Sequence, residues 1–253
     1  MFYRLPAGNR YYCSALLIFA CIAISGAGSS PIHASPNDVS VSSFHKLNAT
    51  TAPLDYKRSL PASDVIIDVG HGGIDGGSHH NELLEKDINL AIGKKLYLLL
   101  NSKGISSILN RNSDYALSDD NRWARTRSRH QRDLSQRGGL PDEIQTQVLV
   151  SLHVNWAKDE KHRGPLVLHQ QEGESALLAF LIQDALNRQQ HIFRLPKVGK
   201  PYYLLNVVKQ PSVIVEIGFI SNEGDRQMMT DPRKQLEIAD AIASGVRNYI
   251  LLR

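Results

Sequence analysis

Cysteine is nearly absent from this 253-residue chain, and its placement excludes disulfide and thiol chemistry from most of the sequence. The two cysteines are Cys13 and Cys21, and both fall in an apolar N-terminal segment. The remainder of the chain therefore has neither a thiol nucleophile nor a disulfide bond. We expect its stability to come from packing and from any bound metal.

Long hydrophobic runs and a strong charge excess are also missing. The longest apolar run, residues 15–24, is about half of the roughly 20 residues that a membrane-spanning helix needs. A multi-span membrane protein is therefore excluded. The formal net charge is +4, but without residues 1–34 the chain keeps 27 of its 29 basic side chains against all 25 acidic ones. This balance does not favour nucleic acid as a partner, and we predict none.

The N-terminal segment has the pattern of a secretory leader. Arg4 and Arg10 precede the apolar run, and small residues follow it. A stretch rich in Ser, Pro, Asn and Thr comes next, which is typical of a flexible spacer. We predict a signal peptide or N-terminal anchor over residues 1–34, a flexible linker over 35–62 and a catalytic domain over 63–253. The domain would then act outside the cytoplasm, either secreted or anchored to the membrane.

Within that domain, short β-branched runs alternate with longer amphipathic patterns. Alternating strands and helices predict a single α/β domain with a mostly parallel twisted sheet flanked by helices. In such sheets, ligands bind beyond the carboxyl ends of the strands. The predicted strands are 65–69, 105–109, 148–152, 165–168, 202–205 and 213–215, and the predicted helices are 85–103, 122–137, 175–189 and a closing helix capped by Asp231.

Polar side chains follow three of these predicted strands. His71, His153 and Glu216 would lie at the same edge of the sheet, and Glu85 begins the helix that follows a glycine-rich loop at residues 72–77. Two imidazoles and two carboxylates suit a catalytic zinc site, which commonly has three protein ligands and keeps a position for water. One acid would remain for proton transfer. Taken alone, His71 in a glycine-rich turn is more typical of an ordinary loop residue than of a metal ligand, and His153 after a buried strand is similarly ambiguous.

Four segments resemble, in order, the motifs of the zinc-dependent N-acetylmuramoyl-L-alanine amidases of the amidase-3 type. The resemblance implies that His71, Glu85 and His153 bind one Zn²⁺ per chain and that Glu216 is the catalytic acid/base. It also implies hydrolysis of the amide between N-acetylmuramic acid and L-alanine. Val69 departs from the family, which usually has proline there. The matching segments are residues 67–73, 85–90, 151–155 and 215–222.

This resemblance makes peptidoglycan or a muropeptide the expected partner and the cell wall the expected location, and we predict a monomer. Two alternatives stay open at this point. A zinc peptidase or carboxypeptidase of the stem peptide would need the same residues, because such a site can cleave any amide. A non-hydrolytic wall-binding regulator could have kept the fold without the chemistry.

Several polar residues outside these motifs also carry predictions. Asp68, inside the first strand, is predicted to orient His71 by contacting this metal ligand without binding the metal itself. Asp75 is predicted to be a loop hydrogen bonder, and Asn222 to cap a short helix. The basic stretch 122–137 has two interpretations, a solvated helix face or a surface for stem-peptide carboxylates and anionic wall polymers.

Overall fold

The computed structural model describes residues 62–119 and 125–253, which lie in one compact unit of the chain. The predicted leader at 1–34 and all but the last residue of the predicted linker at 35–62 lie outside the described residues. Within the described ranges, no helix is both long enough and apolar enough to cross a membrane.

Six strands form one mixed sheet with parallel strands at its centre. In chain order the strands are β1 (Val65–Val69), β2 (His79–His80), β3 (Leu83–Leu84), β4 (Ser107–Leu109), β5 (Val148–Asn155), β6 (Leu166–His169), β7 (Lys197–Val198) and β8 (Ser212–Phe219). The sheet order is β4-β1-β5-β8-β6-β7, while β2 and β3 form a separate hairpin. Strands β4, β1, β5 and β8 are parallel, and β6 is antiparallel to β8. The predicted α/β domain with a mostly parallel sheet is confirmed.

Helices cover both faces of the sheet. They are α1 (Glu85–Ser102), α2 (Arg129–Ile144), α3 (Gly173–Gln190), α4 (Leu204–Val207), α5 (Glu223–Thr230) and α6 (Pro232–Leu252). Helices α1, α3 and α6 contribute to the larger apolar cluster, and α2 and α4 to a smaller one. Every residue of β1 is buried, as expected for a parallel strand covered on both faces.

The alternation of side chains along β1 determines which helix each residue meets. Val65, Ile67 and Val69 belong to the larger cluster on the α1 side, whereas Ile66 belongs to the cluster on the α2 side. Successive side chains of a strand point to opposite faces. Asp68 therefore shares the α2 side with Ile66, which matters for the polar contacts described below.

The predicted strand at residues 202–205 is wrong, because the chain forms the short helix α4 there. Leu204 and Leu205 are both buried, against neighbouring apolar clusters on the same side of the sheet. A strand would point these successive side chains to opposite faces, whereas one helical turn can bury both against the sheet. Tertiary packing therefore overrides the local β preference.

The predicted helix at 122–137 has different limits in the structure. Helix α2 begins at Arg129, where the Ser128 hydroxyl accepts a hydrogen bond from the Gln131 amide at 3.3 Å. It continues beyond residue 137 to Ile144, which is buried in the smaller apolar cluster. The start of the predicted helix, at 122–124, lies outside the described residues.

Two predicted helix caps are confirmed. The Asp231 carboxylate accepts hydrogen bonds from the Arg233 and Lys234 amides at the start of α6. The Asn222 side chain accepts one from the Asp225 amide at the start of α5. Such caps satisfy amide groups that have no partner within the helix.

Candidate metal centre at the sheet edge

The four residues singled out by the sequence come from four different elements. His71 follows β1 with a left-handed backbone (φ 62°), and Glu85 is the first residue of α1. His153 and Glu216 are direct partners in the register of β5 and β8. The prediction that both strands end before these residues is wrong, since they continue to residues 155 and 219. The expected common edge is nevertheless formed.

Three of these side chains form a compact cluster. Glu85 Oε1 lies 3.2 Å from His71 Nε2 and 3.0 Å from His153 Nδ1. The two imidazole rings meet edge to face, with their centroids 5.0 Å apart. One potential ligand atom from each residue lies within 4.8 Å of the others. Among residues 62–119 and 125–253, this is the one group of His, Cys, Asp or Glu residues placed to hold a metal ion.

Glu85 is held in a fixed orientation by neighbouring donors. Its Oε1 atom also accepts the Val154 amide at 2.9 Å, and its Oε2 atom accepts the Ser78 amide at 2.8 Å and the Ser78 hydroxyl at 2.6 Å. Burial raises the pKa of Glu85, but hydrogen bonds from His153 and His71 outweigh this effect and lower it well below the usual range. The carboxylate is therefore ionised and preorganised.

Asp75 orients the ring of His71. Its Oδ2 atom lies 2.9 Å from His71 Nδ1, and its Oδ1 atom accepts the Gly77 amide at 3.1 Å. The hydrogen bond from His71 is the main reason that the pKa of Asp75 is lowered to about 2. Burial lowers the pKa of His71, but Asp75 and Glu85 raise it to about 9. A carboxylate on one ring nitrogen, with the other facing a potential metal, is a common arrangement in metal sites.

Glycines provide the space for this cluster. A Cβ atom at Gly70 would lie 2.5 Å from His153 Cε1, and one at Gly77 would lie 2.6 Å from Glu85 Oε2. Gly77 also has a φ of +69°, which other residues rarely adopt. Both close approaches explain why the chain around His71 needs glycine, as predicted from the sequence.

Asp68 does not contact the His71 ring, so the prediction that it supports this histidine is wrong. Its Oδ1 atom accepts Arg137 Nη1 at 2.7 Å, and its Oδ2 atom accepts the Ser151 hydroxyl at 2.5 Å. Arg137 in turn donates to the His71 carbonyl at 2.8 Å. Asp68 faces α2 because of strand alternation, and it therefore acts on the loop through Arg137 instead of on the imidazole.

Arg137 also corrects the interpretation of the basic stretch as a uniformly solvated face. This side chain is buried, and besides Asp68 it contacts Asp133 and the Val69 carbonyl. Arg111, which the sequence did not single out, is fully buried as well and donates to the Gly70 carbonyl at 3.0 Å. Two guanidinium groups thus donate hydrogen bonds to backbone carbonyls at and next to His71.

Glu216 lies beside the cluster without being part of its hydrogen-bond network. It is buried, and within the described part of the chain no group forms a hydrogen bond with its Oε2 atom. Burial raises the pKa of Glu216 to about 7, the charge of Glu85 adds to this, and the charges of His153 and His71 oppose it. A carboxyl group with this pKa can exchange a proton near neutral pH.

The fold and this residue set define an α/β domain with a potential metal centre at the carboxyl edge of its sheet. Residues 65–248 match the family described as N-acetylmuramoyl-L-alanine amidase (Amidase_3). The chain therefore belongs to this family of amidases.

Individual relatives agree with the family match. The chain is 32% identical over 195 residues to the germination-specific N-acetylmuramoyl-L-alanine amidase of Bacillus subtilis (strain 168), covering 76% of this chain and 82% of that protein. It is also similar to the CwlD amidase of Clostridioides difficile, solved in complex with the GerS lipoprotein. That match has 34% identity and a TM-score of 0.70, and covers 76% of this chain and 100% of the other. An N-acetylmuramoyl-L-alanine amidase from Clostridium difficile 630 gives 27% identity and a TM-score of 0.64, with 75% and 97% covered.

Proposed function

We propose that this chain hydrolyses the amide bond between N-acetylmuramic acid and L-alanine in peptidoglycan. In this proposal His71, Glu85 and His153 hold one Zn²⁺ per chain, and Glu216 is the general acid/base. The observation that carries the proposal is the position of Glu216 next to the His–Glu–His cluster. Its carboxyl group is buried, and its Oε2 atom has no hydrogen-bond partner in the described part of the chain. Membership of the amidase family supports the choice of substrate.

The donor set fits a catalytic zinc site. Two imidazoles and one carboxylate are common ligands of such sites, which leave one coordination position for water or substrate. Asp75 fixes the ring of His71, and Ser78 fixes Glu85, so both ligands are oriented before any metal binds. When bound, zinc supplies Lewis acidity that makes water nucleophilic near neutral pH and polarises the scissile carbonyl.

Glu216 would carry the proton through the reaction. Its carboxylate accepts a proton from the attacking water and then delivers that proton to the nitrogen of the leaving L-alanine. A group with its pKa near 7 can do both, since it is neither a very weak base nor a very weak acid at that pH. Among the described residues, no group forms a hydrogen bond with Glu216 Oε2 that would have to break before this atom receives the proton.

The proposal also covers the setting of the enzyme. A substrate in the cell wall requires action outside the cytoplasm, which agrees with a leader over residues 1–34 and a linker over 35–62. The N-terminal apolar segment would serve as signal peptide or membrane anchor, and residues 63–253 would be the catalytic domain. We propose that the enzyme works as a monomer and does not bind nucleic acid.

Metal content and product identity together test this function. The full chain is incubated with purified sacculi, while bound metal is measured by inductively coupled plasma mass spectrometry. We expect one zinc per chain, free L-alanine amino groups on the released peptides and intact glycan strands. Cleavage inside the stem peptide would instead identify a peptidase. Binding without product by the zinc-loaded protein would identify a non-hydrolytic regulator.

Variants of the ligand residues test the metal assignment separately. Replacement of His71, Glu85 or His153 by alanine should lower retained zinc to well below one per chain, because three protein ligands are then reduced to two. His79→Ala is the matched control, since this exposed histidine lies in the β2–β3 hairpin outside the cluster. Equal zinc retention in the ligand variants and in His79→Ala would contradict the assignment.

A further inference from the structure

A cavity of about 350 Å³ lies directly beside the candidate metal centre. His71 and Asp75 form one wall, and Arg129 and His130 from the start of α2 form another. Its volume is near the lower end for small-ligand pockets, about 300 to 1,000 Å³, so it suits one part of a larger substrate. Because His71 lines both the cavity and the cluster, a ligand in the cavity would lie next to the reacting bond.

Helix geometry directs Arg129 toward this cavity. Arg129, Asp133 and Arg137 are spaced four residues apart on α2, which places them on one face of the helix. Arg137 on that face contacts the His71 carbonyl. Arg129 is therefore presented to the same loop, two turns closer to the start of the helix.

The charged side chains that line the cavity differ in whether they have hydrogen-bond or ion-pair partners. Asp75 is hydrogen bonded to His71, and Asp133 accepts Arg137 Nε at 2.5 Å. No ion pair or side-chain hydrogen bond engages the Arg129 guanidinium among residues 62–119 and 125–253. Both acids thus have side-chain partners, whereas the described residues offer none to the Arg129 guanidinium, which lines the cavity.

An apolar side chain completes the cavity. Ile74 lines it and is 73% exposed, so an apolar side chain is available to a ligand there. An apolar contact beside a guanidinium group matches a peptide segment, which combines aliphatic carbon with carboxylate groups. A bare phosphate polymer would not use the isoleucine.

We propose that this cavity is a carboxylate-binding subsite for the stem peptide of the substrate, with Arg129 as its main donor and His130 beside it. A guanidinium group pairs with a carboxylate through two parallel hydrogen bonds, which also orients the peptide. The subsite rests on the proposed amidase function and adds to it a preference for substrates with a free carboxylate. Of the six arginines in the basic stretch, Arg129 is the one that lines this cavity among those described.

Two soluble muramoyl peptides test the subsite. They are identical except that one has a free stem-peptide carboxylate and the other has the corresponding carboxamide. We expect the wild-type enzyme to have the lower KM for the acid. In Arg129→Gln, the KM for the acid should rise about tenfold with little change in kcat, while the KM for the carboxamide stays the same. Arg129→Lys should restore part of the preference, because it keeps the charge without the fork of donors.

Arg127→Gln is the matched control, since Arg127 is an exposed arginine of the same stretch that does not line the cavity. Its kinetics should equal those of the wild type. An unchanged KM for the acid in Arg129→Gln, or an equal loss on both substrates, would overturn the subsite. Failure of the amidase proposal itself gives a different result, because the wild-type enzyme would then release no L-alanine amino group from either substrate.

Discussion

Asp68 on β1 and Glu216 on β8 are both buried carboxyl groups, but among the described residues only Asp68 accepts hydrogen bonds at both of its carboxylate oxygens. Asp68 accepts hydrogen bonds from Arg137, Ser151 and Asn110. Glu216 has an oxygen without a partner among the described residues. Both side chains stand on the same sheet, with β5 between their strands.

The two environments move the pKa values in opposite directions. Burial raises the pKa of Asp68, but the charge of Arg137 and the hydrogen bond from Ser151 outweigh it, and the net pKa is lowered. For Glu216 burial dominates, and the pKa rises to about 7. A fully paired buried charge contributes to structure, whereas an unpaired one is costly to keep and is available for chemistry.

The largest expected effect is on turnover in Glu216→Gln. The amide cannot carry the proton, so kcat should fall about 10²- to 10⁴-fold, as is typical for loss of a general acid/base. Zinc content should stay at one per chain. The metal-free variant should be at least as stable to urea as the wild type at pH 8, because it removes a buried charge whose Oε2 atom accepts no hydrogen bond from the described residues. Substantial turnover in this variant would refute the role of Glu216.

Asp68→Asn, the same type of substitution on β1, should destabilise the fold, unlike Glu216→Gln. Leaving Arg137 without this partner should lower the free energy of unfolding by about 3 to 5 kcal/mol, the usual cost of breaking a buried ion pair. Urea denaturation with far-UV circular dichroism measures this loss. Asp142→Asn is the control, since it removes an exposed ion pair with Lys209 and should cost less than about 1 kcal/mol. If Asp68→Asn and Asp142→Asn lowered the free energy of unfolding equally, the buried ion pair of Asp68 would not stabilise the fold more than an exposed one does. Asp68 and Glu216 would then not differ in the way described.

Asp75→Asn should have an intermediate effect, limited to the metal. Without the carboxylate on His71 Nδ1, the imidazole is less well oriented and less basic, and zinc affinity should fall about 10- to 100-fold. Competition with a chromophoric chelator measures the affinity. Glu82→Gln, which neutralises an exposed acid in the neighbouring hairpin, should leave it unchanged. If both variants bind zinc equally well, Asp75 does not orient the ligand.

The smallest effect is a pH dependence of stability that depends on Asp68. Its folded-state pKa lies below the unfolded value of about 3.9. Its contribution to the free energy of unfolding is therefore fully present above about pH 4 and is lost as the pH falls through the folded pKa. The stability difference between the wild type and Asp68→Asn should shrink below pH 4. A difference that stays constant from pH 7 to pH 3 would show that the Asp68 charge does not stabilise the fold.

The fold and the candidate ligands were largely predictable because they depend on local patterns and on one general rule. Strand and helix alternation predicted the α/β sheet, and the strand-edge rule brought together His71, Glu85, His153 and Glu216. The strand predicted at residues 202–205 failed because packing of Leu204 and Leu205 favoured a helical turn. A short apolar run does not reveal which surface will cover it.

The partners of these residues were not predictable, because they depend on contacts between distant parts of the chain. Ser78 reaches Glu85 across the β2–β3 hairpin, and Arg137 reaches the His71 carbonyl across 66 positions. Nothing in the local sequence distinguishes Arg137 from its exposed neighbour Arg129. Arg129 could be singled out from the other arginines of the basic stretch only when the helix was placed against the loop of His71.

Residue types and hydrophobic spacing are local properties, so they already specify the available chemical groups and the layered fold that carries them. Which charges are paired depends on contacts between distant segments and follows only from the folded chain. Asp68 and Glu216 read alike in the sequence, as single acids within apolar strands. The partners within reach then separate them: Asp68 meets Arg137 and Ser151, whereas no group among the described residues forms a hydrogen bond with Glu216 Oε2.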